Sequence, residues 1–326
     1  MLTFDKEKAG IFDAQKMGRV AVLYGGLSSE REVSLKSGRA IFDALLRLGC
    51  DAELVDVKED FLLVLAQAQA SEKPWQRAFI ALHGVGGEDG VIQAVLQMAS
   101  IPYTGSGVLA SALTMNKWRT KQLWMEQALA TPAHELLHEN SDWHACIRKL
   151  GGVAIVKPAC EGSSMGMRKA TSAESLRNAY FFARQFAGVV LAEAWINGPE
   201  FTVGILNDEA LPVIRLETDS EFYDFDAKYV SNNTRYLCPC GLSPDKHLEL
   251  QQLALSAFNA VGCRGWGRVD VMSDDTGKFY LLEVNTVPGM TDHSLVPKAA
   301  AAKGVDFDGL VMQILLSSFH FIGEVV

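Results

Sequence analysis

With 326 residues the chain is long for a single core, so two or three domains are expected. Hydrophobic residues make up 48% and charged residues 21%, and the formal charge of −9 comes without a dense Lys/Arg run. That balance fits a soluble globular protein and excludes nucleic acid as the main partner. No apolar run approaches the roughly 20 residues of a transmembrane helix, so no membrane association is expected.

Residues 1–18 carry mixed charges without the apolar core of a signal peptide, and read as an extension ahead of the first strand. The run Arg19–Tyr24 is a buried-strand pattern, broken by Gly25-Gly26. Ser29 with Glu32 three residues on reads as a capping box. A helical pattern from Val33 to Leu48 follows and stops at Gly49. Glu30 therefore falls in the first turn of a helix, beyond the carboxyl end of a strand, where α/β folds bind ligands. An acidic residue there also complements the helix dipole without any ligand.

A strand over 52–57, a helix near 60–70 and a strand over 79–82 come next. The glycine-rich stretch His83–Gly90 then opens a helix over 91–99, a second strand-end loop in which His83 and Glu88 are candidates to line a site. Gly105-Ser-Gly107-Val-Leu-Ala110 has the form of a dinucleotide motif. Pro102 denies it a proper preceding strand, so it reads as a turn into a helix. His134-Glu-Leu-Leu-His138 matches the HExxH zinc pattern, but Pro132 before it and Asn140–Asp142 after it leave too little helix.

Asn116 begins a helix to about Leu129, and Val153–Lys157 is a strand ending on a lysine. The small residues of Glu161–Gly166 after it suit phosphate oxygens, with Lys157 as a point charge, although a plain hairpin loop has the same look. Helix 171–186 and strands at 189–196, 201–206 and 211–216 lead into the polar, irregular stretch 217–241, long enough to act as a lid. A helix over 245–261 then reaches the hairpin Gly265–Met290. Thr291–Pro297 reads as a loop, and a last helix runs from about 308 to 321.

In that hairpin Arg268 and Asp270 share one strand face, and Glu283 and Asn285 share one face of the partner. A register that buries Val269, Val271, Leu282 and Val284 brings the four polar side chains together. Two carboxylates and an amide are hard oxygen donors suited to Mg²⁺ held with phosphates. A solvated face with a cross-strand Arg–Glu pair is the plainer alternative. The six cysteines are scattered and read as free thiols in a reducing cytoplasm.

Several ordered motifs together carry a resemblance that extends from Arg19 to the C-terminus. They are Gly25–Ser34, Ala81–Gly90, Pro102–Gly107, Val156–Pro158 with Glu161–Gly166, Gly198–Val203, Ala227–Tyr229, Gly265–Asp270, Leu282–Asn285 and Pro288–Thr291. On these the chain resembles the D-alanine–D-alanine ligases of the ATP-grasp superfamily. The resemblance implies an α/β, three-domain ATP-grasp fold. Its parts would be an extension (1–18), a doubly wound N-terminal domain (19–114), a central subdomain (115–193) and a C-terminal subdomain (194–326) with a lid at about 217–241.

It also implies ATP-dependent joining of two D-alanines through a D-alanyl phosphate, for peptidoglycan synthesis, by a cytoplasmic homodimer. Lys117, Lys157 and Lys228 would meet phosphates, and Glu193, Ala194, Trp195, Ile196 and Glu200 the nucleoside. Asp270, Glu283 and Asn285 would hold two Mg²⁺ ions, with Mn²⁺ as a substitute. Glu30, linked to Ser163 and Tyr229, would bind the first D-alanine near His83. Arg268 and the Gly289 N–H would form the oxyanion hole, and Ser294 with the Leu295 backbone would receive the acceptor carboxylate. Ala194 replaces a lysine common in the family, which implies a changed ATP affinity. Another ATP-grasp ligase with a different substrate pair, or a zinc hydrolase using His134 and His138, are the alternatives.

Overall fold

The computed structural model describes residues 14–162, 164–186, 188–217, 234–291 and 293–319. The chain builds three sheets in succession, each with its own helices. The first is parallel, in the order β2-β1-β3, from β1 (Val20–Gly25), β2 (Ala52–Val57) and β3 (Arg77–Ile80). Helices α1 (Arg31–Arg47), α2 (Phe61–Gln69) and α3 (Val91–Met98) connect and flank it. In that order the chain leaves β1 to one side for β2 and returns to the other side for β3. The crevice between the ends of β1 and β3 is the switch point where such sheets place ligands.

Two further helices, α4 (Val108–Met115) and α5 (Lys117–Glu126), lead to an antiparallel four-stranded sheet. Its order is β4-β7-β5-β6, from β4 (His134–Leu137), β5 (Ala154–Pro158), β6 (Arg168–Ala170) and β7 (Val190–Ala194). Helices α6 (Trp143–Lys149) and α7 (Ala173–Ala183) pack on it. The third sheet runs β11-β10-β8-β12-β13, with β9 beside β8. Its strands are β8 (Glu200–Leu206), β9 (Glu209–Ala210), β10 (Ile214–Glu217), β11 (Arg235–Leu237), β12 (Trp266–Ser273) and β13 (Phe279–Asn285). Helices α8 (Pro244–Ala260), α9 (Leu295–Ala302) and α10 (Phe307–Ser317) complete the chain.

The last two helices return to the first sheet. Ile41 and Leu45 of α1, Leu23 of β1 and Phe79 of β3 share one buried cluster with Val296, Leu310 and Ile314. Each large aliphatic side chain so buried contributes about 1.5–3 kcal/mol. Arg47 adds a two-pronged pair with Asp308, at 2.6 and 2.9 Å. Residues 261 positions apart therefore tie the last helix to the end of α1.

Four readings of the sequence are corrected. The cap of α1 is Glu30 itself, with no capping box at Ser29; Ser28 Oγ instead accepts from Glu30 N and donates to the His83 carbonyl. Thr291–Pro297 is not all loop, because α9 starts at Leu295; its Pro297 sits in the first turn, where a missing N–H costs nothing. Helix α6, capped by Asp142 accepting from Ala145 N, follows directly on Asn140–Asp142, in a stretch to which the sequence reading assigned no element. The stretch read as an irregular lid closes with strand β11; residues 218–233 of it lie outside the described residues.

Candidate active site

Strands β12 and β13 pair antiparallel, with Arg268 opposite Asn285 and Asp270 opposite Glu283, so the four polar groups converge as expected. The register is not uniform. A bulge follows Asp270, so Val271 faces Leu281 and not Leu282. Leu281 is wholly buried, whereas Leu282 lines the cleft beside Glu283. Strict alternation therefore assigned Leu282 to the wrong face: the bulge lets two consecutive residues point the same way.

Asp270 is 6% exposed and heavily engaged. Arg268 donates to it twice, Nε to Oδ1 at 2.8 Å and an Nη to Oδ2 at 2.7 Å. Thr202 Oγ1 donates at 2.6 Å from β8, and Asn285 Nδ2 at 3.1 Å. The fork fixes the guanidinium plane beside Asp270. On the other strand Glu283 pairs with Lys117 Nζ at 3.1 Å, and Lys117 also donates to the Glu161 carbonyl at 2.7 Å. Burial opposes the charge on Lys117, but the Glu283 carboxylate outweighs it and holds the ammonium above its ordinary pKa.

Deeper in the cleft Glu193 is 1% exposed, at the end of the central strand β7. Lys157 Nζ stands 2.8 Å and Lys121 Nζ 3.1 Å from its Oε1. Burial alone pushes the Glu193 carboxyl up; Lys121 and Lys157 together bring it below the usual carboxylate range. Burial takes Lys121 down to about 8, partly offset by Glu193. Lys121 also donates to Thr131 Oγ1 at 2.6 Å and the Leu281 carbonyl at 3.3 Å. Sequence reading missed it, yet a signal was present: Lys117 and Lys121, four apart on a helix, share a face.

Lys117, Lys157, Glu193, Ala194, Trp195, Ile196, Glu200, Asp270 and Glu283 all line one cavity of about 530 Å³ between the second and third sheets. That size suits a nucleotide-scale ligand. At the switch point of the first sheet, Glu30 is buried, and its carboxylate fills the space against two glycines. A Cβ added at Gly84 or Gly162 would stand 2.8 or 2.9 Å from Glu30 Oε2. Gly162 belongs to the β5–β6 connection, so the phosphate-type loop and the switch-point acid meet. The two readings of that loop, hairpin and phosphate cradle, are compatible, since β5 and β6 do pair antiparallel.

His83 is buried, with Nδ1 2.8 Å from the Val287 carbonyl and Nε2 3.1 Å from Ser37 Oγ. Burial pushes its imidazole below the ordinary value, with Glu30 opposing. Glu88 accepts from Gly84 N at 2.8 Å and Val287 N at 3.1 Å. Burial, reinforced by Glu30, pushes it up to about 8. Ser294 caps α9, and its Oγ accepts from Thr291 N at 2.8 Å. Gly289 is packed against it: a Cβ there would lie 2.8 Å from Ser294 Oγ. Leu295 opens α9. Ser163, Lys228 and Tyr229 lie outside the described residues.

The HExxH match does not build a zinc site. His134–Leu137 is a strand, paired to β7 with His134 opposite Glu193. Residues four apart on a strand are separated by about 13 Å, too far to share one ion. Among the described residues no three His, Cys, Asp or Glu side chains gather for a metal. The hairpin offers two carboxylates and an amide, and these oxygens fit a hard cation better than zinc.

Comparison with known proteins agrees with this geometry. A model of the D-ala D-ala ligase C-terminus matches residues 124–316, and one of the D-ala D-ala ligase N-terminus matches 59–106. The chain belongs to the D-alanine–D-alanine ligase family. It is an enzyme with the mixed α/β fold of the ATP-grasp superfamily. A D-alanine–D-alanine ligase of Saccharophagus degradans is 57% identical over 92% of this chain and 94% of its own. Among solved structures, a D-alanine–D-alanine ligase from Bacillus anthracis superposes with a TM-score of 0.83. It is 31% identical, covering 93% of this chain and 98% of that one. The same enzyme complexed with ATP superposes at 0.81, with 29% identity and the same coverage.

Proposed function

We propose that the 530 Å³ cavity takes ATP and that the crevice at Glu30 takes D-alanine, so that the enzyme joins two D-alanines into D-alanyl-D-alanine for peptidoglycan. The observation that carries this is the convergence of Lys117, Lys157, Glu193, Asp270 and Glu283 on one cavity, which shares Glu161, Gly162 and Met165 with the smaller pocket that Glu30 lines. A relative solved with ATP supports the choice of nucleotide.

A carboxylate is a poor electrophile, and its charge repels a second anion. Phosphorylation removes the charge and creates a leaving group. Lys117 and Lys157 neutralise the phosphates, joined by Lys228, while Glu193, the Ala194–Ile196 backbone and Glu200 hold adenine and ribose. Asp270, Glu283 and Asn285 would hold Mg²⁺, two ions in the family pattern and with Mn²⁺ as a substitute. Held there, Mg²⁺ would supply screening of the charge that builds up during phosphoryl transfer.

Glu30 pairs with the ammonium of the first D-alanine, and Ser163 and Tyr229 connect to it, with His83 in support. The acceptor carboxylate is received by Ser294 and the N-terminus of α9 at Leu295, where backbone N–H groups favour an anion. The amine of that second D-alanine, once deprotonated, attacks the acyl carbon, and collapse of the tetrahedral intermediate breaks the C–O bond and expels inorganic phosphate. The oxyanion of that intermediate falls to Arg268, oriented by Asp270, and the Gly289 N–H, each worth about 3 kcal/mol to the transition state. The three domains are divided at 114/115 and 193/194, and the protein acts as a cytoplasmic homodimer. No helix of the described residues is long and apolar enough to cross a membrane.

The test is phosphate release with ATP and Mg²⁺, with D-alanine, L-alanine or D-lactate. D-alanine-dependent release with dipeptide as product is expected. ATP binding without D-alanine-dependent turnover would assign a different substrate pair.

A further inference from the structure

The segment Thr286–Thr291 carries the Gly289 N–H, and α1 with the loop after β3 grips it on both sides of that residue. Val287 N donates to Glu88 Oε1 at 3.1 Å, and the Val287 carbonyl lies 2.8 Å from His83 Nδ1. Met290 N donates to Ser37 Oγ at 3.0 Å, and Ser37 Oγ lies 3.1 Å from His83 Nε2. Between the pinned residues lies Pro288, whose ring fixes φ near −65°. Gly289 therefore sits in a four-residue stretch held by three hydrogen bonds and one ring.

The hydrogens of this network have one consistent direction. Only Nδ1–H of a neutral His83 can donate to the Val287 carbonyl, leaving Nε2 as an acceptor. Ser37 spends its single hydrogen on Nε2, and its lone pair takes the Met290 N–H. Each buried group then has a partner, as buried polar groups require. Ser37 is wholly buried on α1, too far inside to meet solvent. Glu88 reaches Gly84 N with its second oxygen, so one carboxylate ties the β3 loop to the segment 199 residues away.

We infer that Ser37 and Glu88 are positioning residues for bond formation: through the Val287 and Met290 backbone they set where the Gly289 N–H points. This rests on the reading of Gly289 as an oxyanion donor. Neither residue touches substrate in this account. A displacement of about 1 Å at a reacting centre costs about 100-fold in rate, so the clamp is expected to act on turnover more than on nucleotide binding.

The test uses the full chain with Ser37→Ala and, separately, Glu88→Gln. In the second, assayed above about pH 8 where Glu88 is ionised, the amide accepts from one N–H and opposes the other with its own hydrogens. Phosphate release is measured against ATP and D-alanine, and ATP binding by calorimetry. A fall in kcat of about 10- to 100-fold is expected for each, with ATP affinity within about twofold of the unmodified chain. Ser37→Thr, which keeps the hydroxyl, is expected to recover most of the kcat lost in Ser37→Ala. If Ser37→Ala fails to fold, Glu88→Gln, of the same shape as the native residue, decides. Unchanged kcat, a loss of ATP affinity equal to the loss of kcat, or no recovery in Ser37→Thr overturns the inference. An unmodified chain without D-alanine-dependent release would instead remove the functional reading beneath it.

Discussion

Lys121 is the buried cation on which the cleft depends, and Lys121→Met measures that dependence. Methionine fills similar volume, so the cost is electrostatic rather than a cavity. The change removes three contacts: Thr131 Oγ1 at 2.6 Å, Glu193 Oε1 at 3.1 Å and the Leu281 carbonyl at 3.3 Å. Glu193, 1% exposed, keeps only Lys157. Breaking a buried pair by removing one partner costs about 3–5 kcal/mol, and the surviving Lys157 contact places this case near the lower figure, about 3 kcal/mol. Urea unfolding of both chains reads the difference. Repeating the change in a Glu193→Gln background removes the carboxylate that needs compensation. There Lys121→Met should cost about 2 kcal/mol less, a coupling expected of residues in direct contact. An equal cost in both backgrounds would refute the electrostatic account and leave Lys121 as packing alone.

Three other perturbations follow from the geometry. Glu283→Ala removes the proposed metal ligand as well as the partner of Lys117, so D-alanine-dependent phosphate release should fall by about 100-fold or more and need more Mg²⁺ for half-saturation. Gly38→Ala puts a Cβ 2.3 Å from Tyr24 Cβ, where α1 lies closest to β1; overpacking there should destabilise by about 1–3 kcal/mol in urea unfolding. Burial lowers the His83 pKa, so as pH falls through about 6.5 the unfolded chain takes up a proton before the folded one does. Stability present above that pH is lost toward the lowered folded value. His83→Gln should therefore lose stability less steeply than the unmodified chain between about pH 7 and 5.

The sheets and most helices were legible because their signals are local. Buried runs, periodic apolar faces and glycine stops depend on neighbours in sequence, and the hairpin polar face followed from alternation alone. What was missed depends on partners far away. The bulge after Asp270 is invisible to strict alternation, and so Leu282 was assigned to the core. Lys121 looks like one more charge on a helix until Glu193 arrives from β7. The cap of α1 is settled by the His83 carbonyl accepting from Ser28, not by the Ser29–Glu32 spacing. Helix α9 was hidden by Pro297, a residue that breaks helices in their interior but not in their first turn. HExxH shows the reverse error that pattern matching invites, because pairing with β7 made a strand of it. The roles of Ser163, Lys228 and Tyr229 rest on the family resemblance.

The bulge in the third sheet bears on how this enzyme can change. In a regular strand, neighbours 282 and 283 would face opposite sides, and altering a cleft wall would mean altering every second residue. Here an apolar wall residue and a carboxylate are adjacent on the cleft side, while Leu281 before them and Val284 after them face the core. Position 282 can therefore drift in size or polarity, reshaping what the cleft accepts, without disturbing either the packing beneath or the chemistry beside it. Deleting the bulged residue would restore plain alternation, keeping Leu281 in the core and Glu283 on the cleft but removing the apolar wall between them.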